Sequence, residues 1–155
     1  MAYTTPADYP SAATVERSHA SAYQAYGLLH FAFAAIPMIA GADKFFYYLT
    51  DWSKYLAPMV PETIGMDART IMMIVGGIEI FAGLVVAFWP KVGGYLVGAW
   101  LAGIIVNLAI HTTKYYDIMA RDFGLMLGAI ALGALARWVD EHKRLAPPPI
   151  PPGTG

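Results

Sequence analysis

The residue of this sequence with the clearest chemical potential is Glu79, near the centre of the otherwise uncharged run from Thr70 to Pro90. As a helix, those residues span about 31 Å, the thickness of a bilayer hydrocarbon core. A carboxylate at that depth costs several kcal/mol, so it marks a functional site by default. We interpret Glu79 as the candidate catalytic residue for proton transfer; the alternative is a protonated side chain that joins helices by a hydrogen bond.

The two faces of this helix predict that Glu79 points into a bundle and away from lipid. One face is mostly small, and small residues mark helix–helix contacts in membranes. The opposite face is bulky and apolar, as expected of a surface that meets lipid. The small face comprises Met72, Val75, Gly76, Glu79, Ala82, Gly83 and Val86, and the bulky face comprises Ile74, Ile78, Phe81, Leu84, Val85 and Phe88.

Other polar side chains are predicted to gather with Glu79 near one face of the membrane. Consecutive spans alternate in direction, so the ends of the first and third spans meet the starts of the second and fourth. Straight helices place Asn107 about one and a half turns below that face and Glu79 about halfway across. The candidate ligand-binding residues are Lys44, Asn107, His111, Arg121 and Asp122, with Asp43 and Lys114 at the same face.

Several of these residues also have a structural explanation. Asn107 could be an interhelical hydrogen-bond donor, and Lys44 could extend its ammonium group to the interface. His30, on the first span, is interpreted as a histidine satisfied within the bundle.

Arg121 is predicted to turn inward and to pair with Asp43 or Glu79 as well as with Asp117. An arginine below the interface is tolerated only if it pairs or reaches the headgroups. The inward orientation follows from two small residues on its helical face, Gly124 and Gly128.

Composition places the chain among polytopic membrane proteins. Of its 155 residues, 57% are hydrophobic and 14% are charged, whereas soluble domains carry about 25% charged residues. A net charge of −1 gives no indication of a nucleic-acid partner. The lack of cysteine excludes disulfides and thiol chemistry. His30 and His111 lie about 15–20 Å apart by helical rise, so no haem is expected, and no ligand spacing predicts a metal site.

The hydrophobic runs predict an all-α fold, an integral membrane four-helix bundle. A polar N-terminal segment, 1–20, precedes the membrane domain, 21–138. Residues 44–57 place aromatic and aliphatic side chains at helical spacing, which predicts a short amphipathic interfacial helix after the first span. Residues 139–155 begin charged and become rich in proline, which predicts an extended tail. The four spans are predicted at about 21–42, 70–90, 92–113 and 116–138.

Four spans place both termini on the same side of the membrane. Lysine and arginine are equally frequent on the two sides. With Lys44 and Arg121 discounted as partly buried, the terminal side leads five to three. The positive-inside rule then predicts cytoplasmic termini.

Five short stretches within about residues 22–138 carry a resemblance to a known family: Gly-Ala-Asp-Lys-Phe-Phe (41–46), Leu-Thr-Asp-Trp-Ser-Lys-Tyr-Leu-Ala-Pro (49–58), Gly-Gly-Ile-Glu (76–79), Ala-Gly-Leu (82–84) and Arg-Asp-Phe-Gly-Leu (121–125). These stretches resemble the DoxX family of small four-helix bacterial membrane proteins. The resemblance implies a multi-pass protein of the bacterial inner membrane. The family includes membrane subunits of thiosulfate:quinone oxidoreductase, and the matching positions here are Lys44, Glu79, Arg121 and Asp122.

These observations lead to three hypotheses. In the first, the chain is a membrane subunit of a redox complex that offers a quinone headgroup a polar pocket around Glu79, while partner subunits supply the redox centre. In the second, it is a non-catalytic structural or assembly subunit of a larger membrane complex. The third and least favoured is a small-solute or proton pathway. The expected partners are the lipid bilayer and other membrane or peripheral redox subunits, without a covalently bound cofactor; homo-oligomer formation is left open.

Overall fold

The computed structural model describes residues 11–111 and 115–145, and every regular element in that part of the chain is helical. Four of the helices are long and apolar enough to cross a membrane, which confirms the predicted four-helix membrane bundle. The proline-rich tail lies outside the described residues. The elements are α1 (Ala12–Phe46), a 3₁₀ turn (Trp52–Tyr55), α2 (Met59–Ile64), α3 (Ala68–Phe88), α4 (Pro90–His111) and α5 (Tyr116–Leu145).

The first and last spanning helices are longer than the apolar runs that predicted them. α1 begins at Ala12 rather than near residue 21, after Ser11 caps it by accepting a hydrogen bond from Thr14 N. α5 continues past residue 138 to Leu145. Hydrophobicity measures the part of a helix that lies in lipid, and a capped helix can continue into water with polar residues.

The interfacial helix predicted at 44–57 is shortened to the single 3₁₀ turn at Trp52–Tyr55. α1 ends when Tyr47 takes a left-handed backbone conformation, with φ of 58°. The side chain of Asp43 then accepts hydrogen bonds from two backbone N–H groups of the following segment. An aspartate that binds nearby N–H groups competes with helical hydrogen bonding, so the chain turns there.

The bundle consists of two tightly packed helix pairs, α1 with α3 and α4 with α5, which meet mainly through α3 and α4. Within each pair, two helical backbones touch at glycines. A Cβ atom added to Gly76 would lie 2.5 Å from the Gly41 carbonyl oxygen, and one added to Gly94 would lie 2.6 Å from Gly133 N. Only residues without a side chain permit this approach.

The predicted faces of α3 are confirmed. Glu79 is buried with its small neighbours, and Val75 is half-buried. The bulky residues of the opposite face are exposed, as lipid contact requires, except Val85, which is half-buried. The central core of the bundle is formed by Phe33, Ala82, Val86, Val97, Ala129 and Leu132.

α3 begins at a capping carboxylate. Asp67 accepts hydrogen bonds from Thr70 Oγ1 at 2.6 Å and Thr70 N at 3.0 Å. These hydrogen bonds hold the pKa of Asp67 below its ordinary value, and the bond from the Thr70 hydroxyl has the largest effect. The stabilisation from this ionised cap is therefore present above the ordinary aspartate pKa and is lost as the pH falls through the lowered value.

Candidate functional site: a buried ion pair in the membrane domain

The centre of the site is an ion pair between Lys44 in the last turn of α1 and Glu79 in the middle of α3. Lys44 Nζ lies 2.5 Å from Glu79 Oε2, and the two residues are only 3% and 7% exposed. The glycine contact explains the pairing. Gly41 and Gly76 each precede one partner by three residues, so the close helix contact lies one turn from the ion pair.

An indole ring covers the ammonium group of Lys44. Lys44 Nζ lies 3.8 Å from the ring centroid of Trp52, which is the geometry of a cation–π contact. A hydrogen bond at the edge of the indole holds the ring in place: Trp52 Nε1 donates to Asp43 Oδ2 at 2.7 Å. Lys44 is thus enclosed between a carboxylate and an aromatic face, and Trp52 closes the pair on the side of the segment that joins α1 to α3.

Trp100 of α4 and Asp122 of α5 complete the surroundings of Glu79. Among the described residues, the buried Trp100 indole N–H has no hydrogen-bond partner, and it lies near the Glu79 carboxylate, outside hydrogen-bond geometry. The Asp122 carboxylate is close enough to repel the charge of Glu79. All four spanning helices therefore contribute a polar side chain to one region. The α4 contributor is Trp100, whereas the sequence predicted Asn107 and His111 from that helix.

The prediction that Arg121 pairs with Asp43 or Glu79 is wrong. Its guanidinium group binds Asp122, with Arg121 Nε at 2.9 Å and Nη2 at 2.8 Å from Oδ1. The Arg121 side chain is 64% exposed, whereas that of Asp122 is 4% exposed. Adjacent helical residues differ by about 100° around the axis, and the buried face contains Asp122. The predicted face was misjudged because Gly124 is exposed.

Asn107 serves the segment between α1 and α3 rather than Glu79. Its Nδ2 donates a hydrogen bond to Tyr55 O at 2.8 Å, and its Oδ1 accepts one from Ala57 N at 3.1 Å. One amide thus satisfies two backbone groups of a non-helical segment that meets the membrane domain. Asn107 is thus a structural hydrogen-bond donor, as one of the two explanations held, but its partner is a connecting segment and not a second helix.

The two histidines considered for haem have separate environments. His30 Nε2 donates to carbonyl oxygens at the end of α3, those of Val86 at 3.0 Å and Ala87 at 3.3 Å, so it is satisfied within the bundle as predicted. His111 contacts the ring of Tyr115, and its buried Nδ1 has no hydrogen-bond partner within residues 11–111 and 115–145. Lys114, predicted at the same face, lies outside the described residues.

The chemistry available to this arrangement is proton exchange and hydrogen bonding. A buried ammonium–carboxylate pair has two forms, charged and neutral, which differ by one proton transferred over a short hydrogen bond. Lys44 donates a hydrogen bond to Glu79, and the Trp100 N–H is a second donor close by that is not bonded to Glu79. Within the ranges 11–111 and 115–145, no three or more histidine, aspartate or glutamate side chains are grouped to hold a metal ion.

Comparisons of the chain with protein-family models, with curated proteins and with solved structures find no match. The function of the site is therefore inferred from its residues and their geometry.

Proposed function

We propose that this chain is a membrane subunit of a redox complex, in which the Lys44–Glu79 pair binds a quinone-type headgroup and exchanges a proton with it. Reduction of a quinone adds two electrons and two protons, so its carbonyl oxygens need nearby donors. Lys44 and Trp100 are the donors here, and Glu79 passes the proton. Electrons come from a partner subunit, because side chains of these types carry none.

The observation that supports this proposal is the burial of an ion pair that stability alone does not require. Replacing a buried ion pair by well-packed apolar residues is often neutral or stabilising. Within a membrane domain, ionisable residues are rare and mostly serve transport, proton transfer or ligand binding. Lys44 and Glu79 also belong to the stretches that resemble the DoxX family, which adds support for an inner-membrane redox role.

Access to the pair is controlled by Trp52 in this proposal. The indole covers Lys44, so a headgroup reaches the ammonium only after the indole moves aside. An open groove of about 580 Å³ adjoins Asp43, which holds the Trp52 indole, and its other lining residues are aliphatic or aromatic. A hydrophobic tail that enters from lipid would lie in this groove while the headgroup approaches Lys44.

Glu79→Gln tests the proton-transfer role. Glutamine keeps the shape and hydrogen-bonding capacity of the side chain but carries no proton. We expect quinone reduction, measured per assembled complex, to fall about a hundredfold or more. The matched control is Glu62→Gln, the same change at an exposed position of α2, which we expect to be silent. Full activity of Glu79→Gln across the pH range would contradict the proposal.

The complex itself is identified by purifying the full chain in mild detergent and analysing what accompanies it. A co-purifying dehydrogenase and bound quinone support the proposal. The alternative, a structural or assembly subunit, is favoured by the hydrogen bonds with which Asp43 and Asn107 hold the segment after α1. A complex that is fully active without this chain supports that alternative.

The proposed orientation places both termini in the cytoplasm and α2 outside. The chain has no natural cysteine, so single cysteines report accessibility cleanly. In intact spheroplasts, a membrane-impermeant maleimide is expected to label Glu62→Cys, and to label Glu141→Cys only after lysis. Both positions are exposed. The reverse labelling pattern would place the termini outside.

A further inference from the structure

A second cluster of side chains lies at the end of the bundle where α1 begins and α5 ends, far along the chain from the Lys44–Glu79 pair. His19 and Tyr23 on α1 face His142 and Trp138 on α5 in two layers. The ring centroids are 5.6 Å apart in the Tyr23–Trp138 layer and 5.1 Å apart in the His19–His142 layer. Both histidines are half-buried.

The position of the two layers relative to the membrane makes the histidine layer accessible from water. Tyrosine and tryptophan concentrate at the membrane interface, which is where Tyr23 and Trp138 belong. His19 and His142 lie about one helical turn further out. Solutes in the aqueous phase therefore reach the histidines without crossing lipid.

The tautomer of one of the two imidazoles is fixed by a backbone carbonyl. His142 Nδ1 lies 3.0 Å from the carbonyl oxygen of Trp138. A carbonyl oxygen only accepts hydrogen bonds, so Nδ1 carries the proton and Nε2 holds the free lone pair. A histidine that donates its second N–H to a backbone carbonyl is the usual support for a metal-bound imidazole. Trp138 further fixes the ring, with centroids 3.9 Å apart.

The spacing of the rings fits a shared metal ion. Two imidazoles that bind one tetrahedral Zn²⁺ through nitrogens at about 2.0 Å have ring centroids about 5 Å apart. The observed centroid distance is 5.1 Å, with the ring planes inclined by 77°.

We propose that His19 and His142 bind a divalent transition-metal ion such as Zn²⁺, which links α1 to α5 at this end of the bundle. Imidazole ligands favour Zn²⁺, Ni²⁺ and Cu²⁺ over Mg²⁺ and Ca²⁺. Because the described residues supply only these two ligands, water fills the remaining coordination positions. The site is therefore exchangeable.

Isothermal titration of the full chain in detergent with Zn²⁺ at pH 7.5 tests this site. We expect one equivalent to bind. His19→Ala and His142→Ala should each weaken binding at least about tenfold, and Mg²⁺ should not compete. His111→Ala is the matched control, since His111 lies at the other end of the bundle, and it should leave Zn²⁺ binding unchanged.

Cu²⁺ provides an independent readout, because its paramagnetic resonance spectrum reports bound nitrogen atoms. We expect two nitrogen ligands in the unaltered chain and one in His142→Gln, a milder variant that guards against loss of folding. Absence of Zn²⁺ binding in the unaltered chain would overturn the site. Binding that is unchanged in both alanine variants would overturn it as well.

Discussion

Replacing Lys44 by methionine is expected to lower the free energy of unfolding by about 3–5 kcal/mol. The substitution leaves the Glu79 carboxylate buried without its counter-charge, with a side chain that is 10% exposed. Methionine has nearly the length of lysine, so it still packs beneath Trp52 and creates no large cavity. The loss of unfolding free energy therefore measures the cost of the unpaired Glu79 charge and not that of a cavity.

A matched surface pair provides the control for this effect. Lys91 and Asp140 form an ion pair of 2.7 Å, but their side chains are 44% and 37% exposed. Lys91→Met should cost less than about 1 kcal/mol, because water screens an exposed pair. Unfolding of the full chain in mixed detergent micelles measures both variants. Equal stability of the Lys44 and Lys91 variants would show that Glu79 does not depend on its partner.

The double variant Lys44→Met/Glu79→Leu separates stability from function. It removes both charges, so it should recover most of the stability that Lys44→Met loses. If the proposed function is correct, this stable variant is inactive in quinone reduction. A stable and fully active double variant would show that the ion pair is needed neither for stability nor for activity. A double variant as unstable as Lys44→Met would show that the pair has a structural role.

Gly76→Ala is expected to separate α1 from α3 and to cost about 1–3 kcal/mol. The added Cβ would lie 2.5 Å from the Gly41 carbonyl oxygen and 3.0 Å from Lys44 Cβ. One of these neighbours is backbone, so relief requires movement of a whole helix rather than a side-chain rotation. The same movement would draw Lys44 away from Glu79, and activity should fall together with stability.

The adjacent glycine is a nearly ideal control. A Cβ added to Gly77 meets nothing within 4 Å, and this residue lies on the exposed face of α3. Gly77→Ala should be neutral or stabilising by up to about 1 kcal/mol, because alanine favours the helix. Thermal unfolding of both variants in one detergent gives the comparison. Similar stability of the two variants would show that the close α1–α3 contact is absent in the folded protein.

Those parts of the fold that depend on residue type and periodicity could be predicted from the sequence. The lengths of the apolar runs predicted four membrane helices, because lipid selects for length and hydrophobicity. The small face of α3 predicted the burial of Glu79, because bulky and small residues separate between lipid and protein contacts. The positions of the helix ends were harder to predict. Ser11 and Asp43 determine them through side-chain hydrogen bonds that hydrophobicity does not report.

The partners within the site were decided by the tertiary structure alone. Sequence placed Lys44, Glu79 and Arg121 in one region but paired Arg121 with the wrong carboxylate. Neighbouring residues on a helix point about 100° apart, so one can be buried while the next is exposed. Asp122 and Arg121 differ in this way. The Lys44–Glu79 pair and its indole cover depend on the distance between two helix axes. Glycine contacts distant in sequence determine that distance, and no local pattern encodes it.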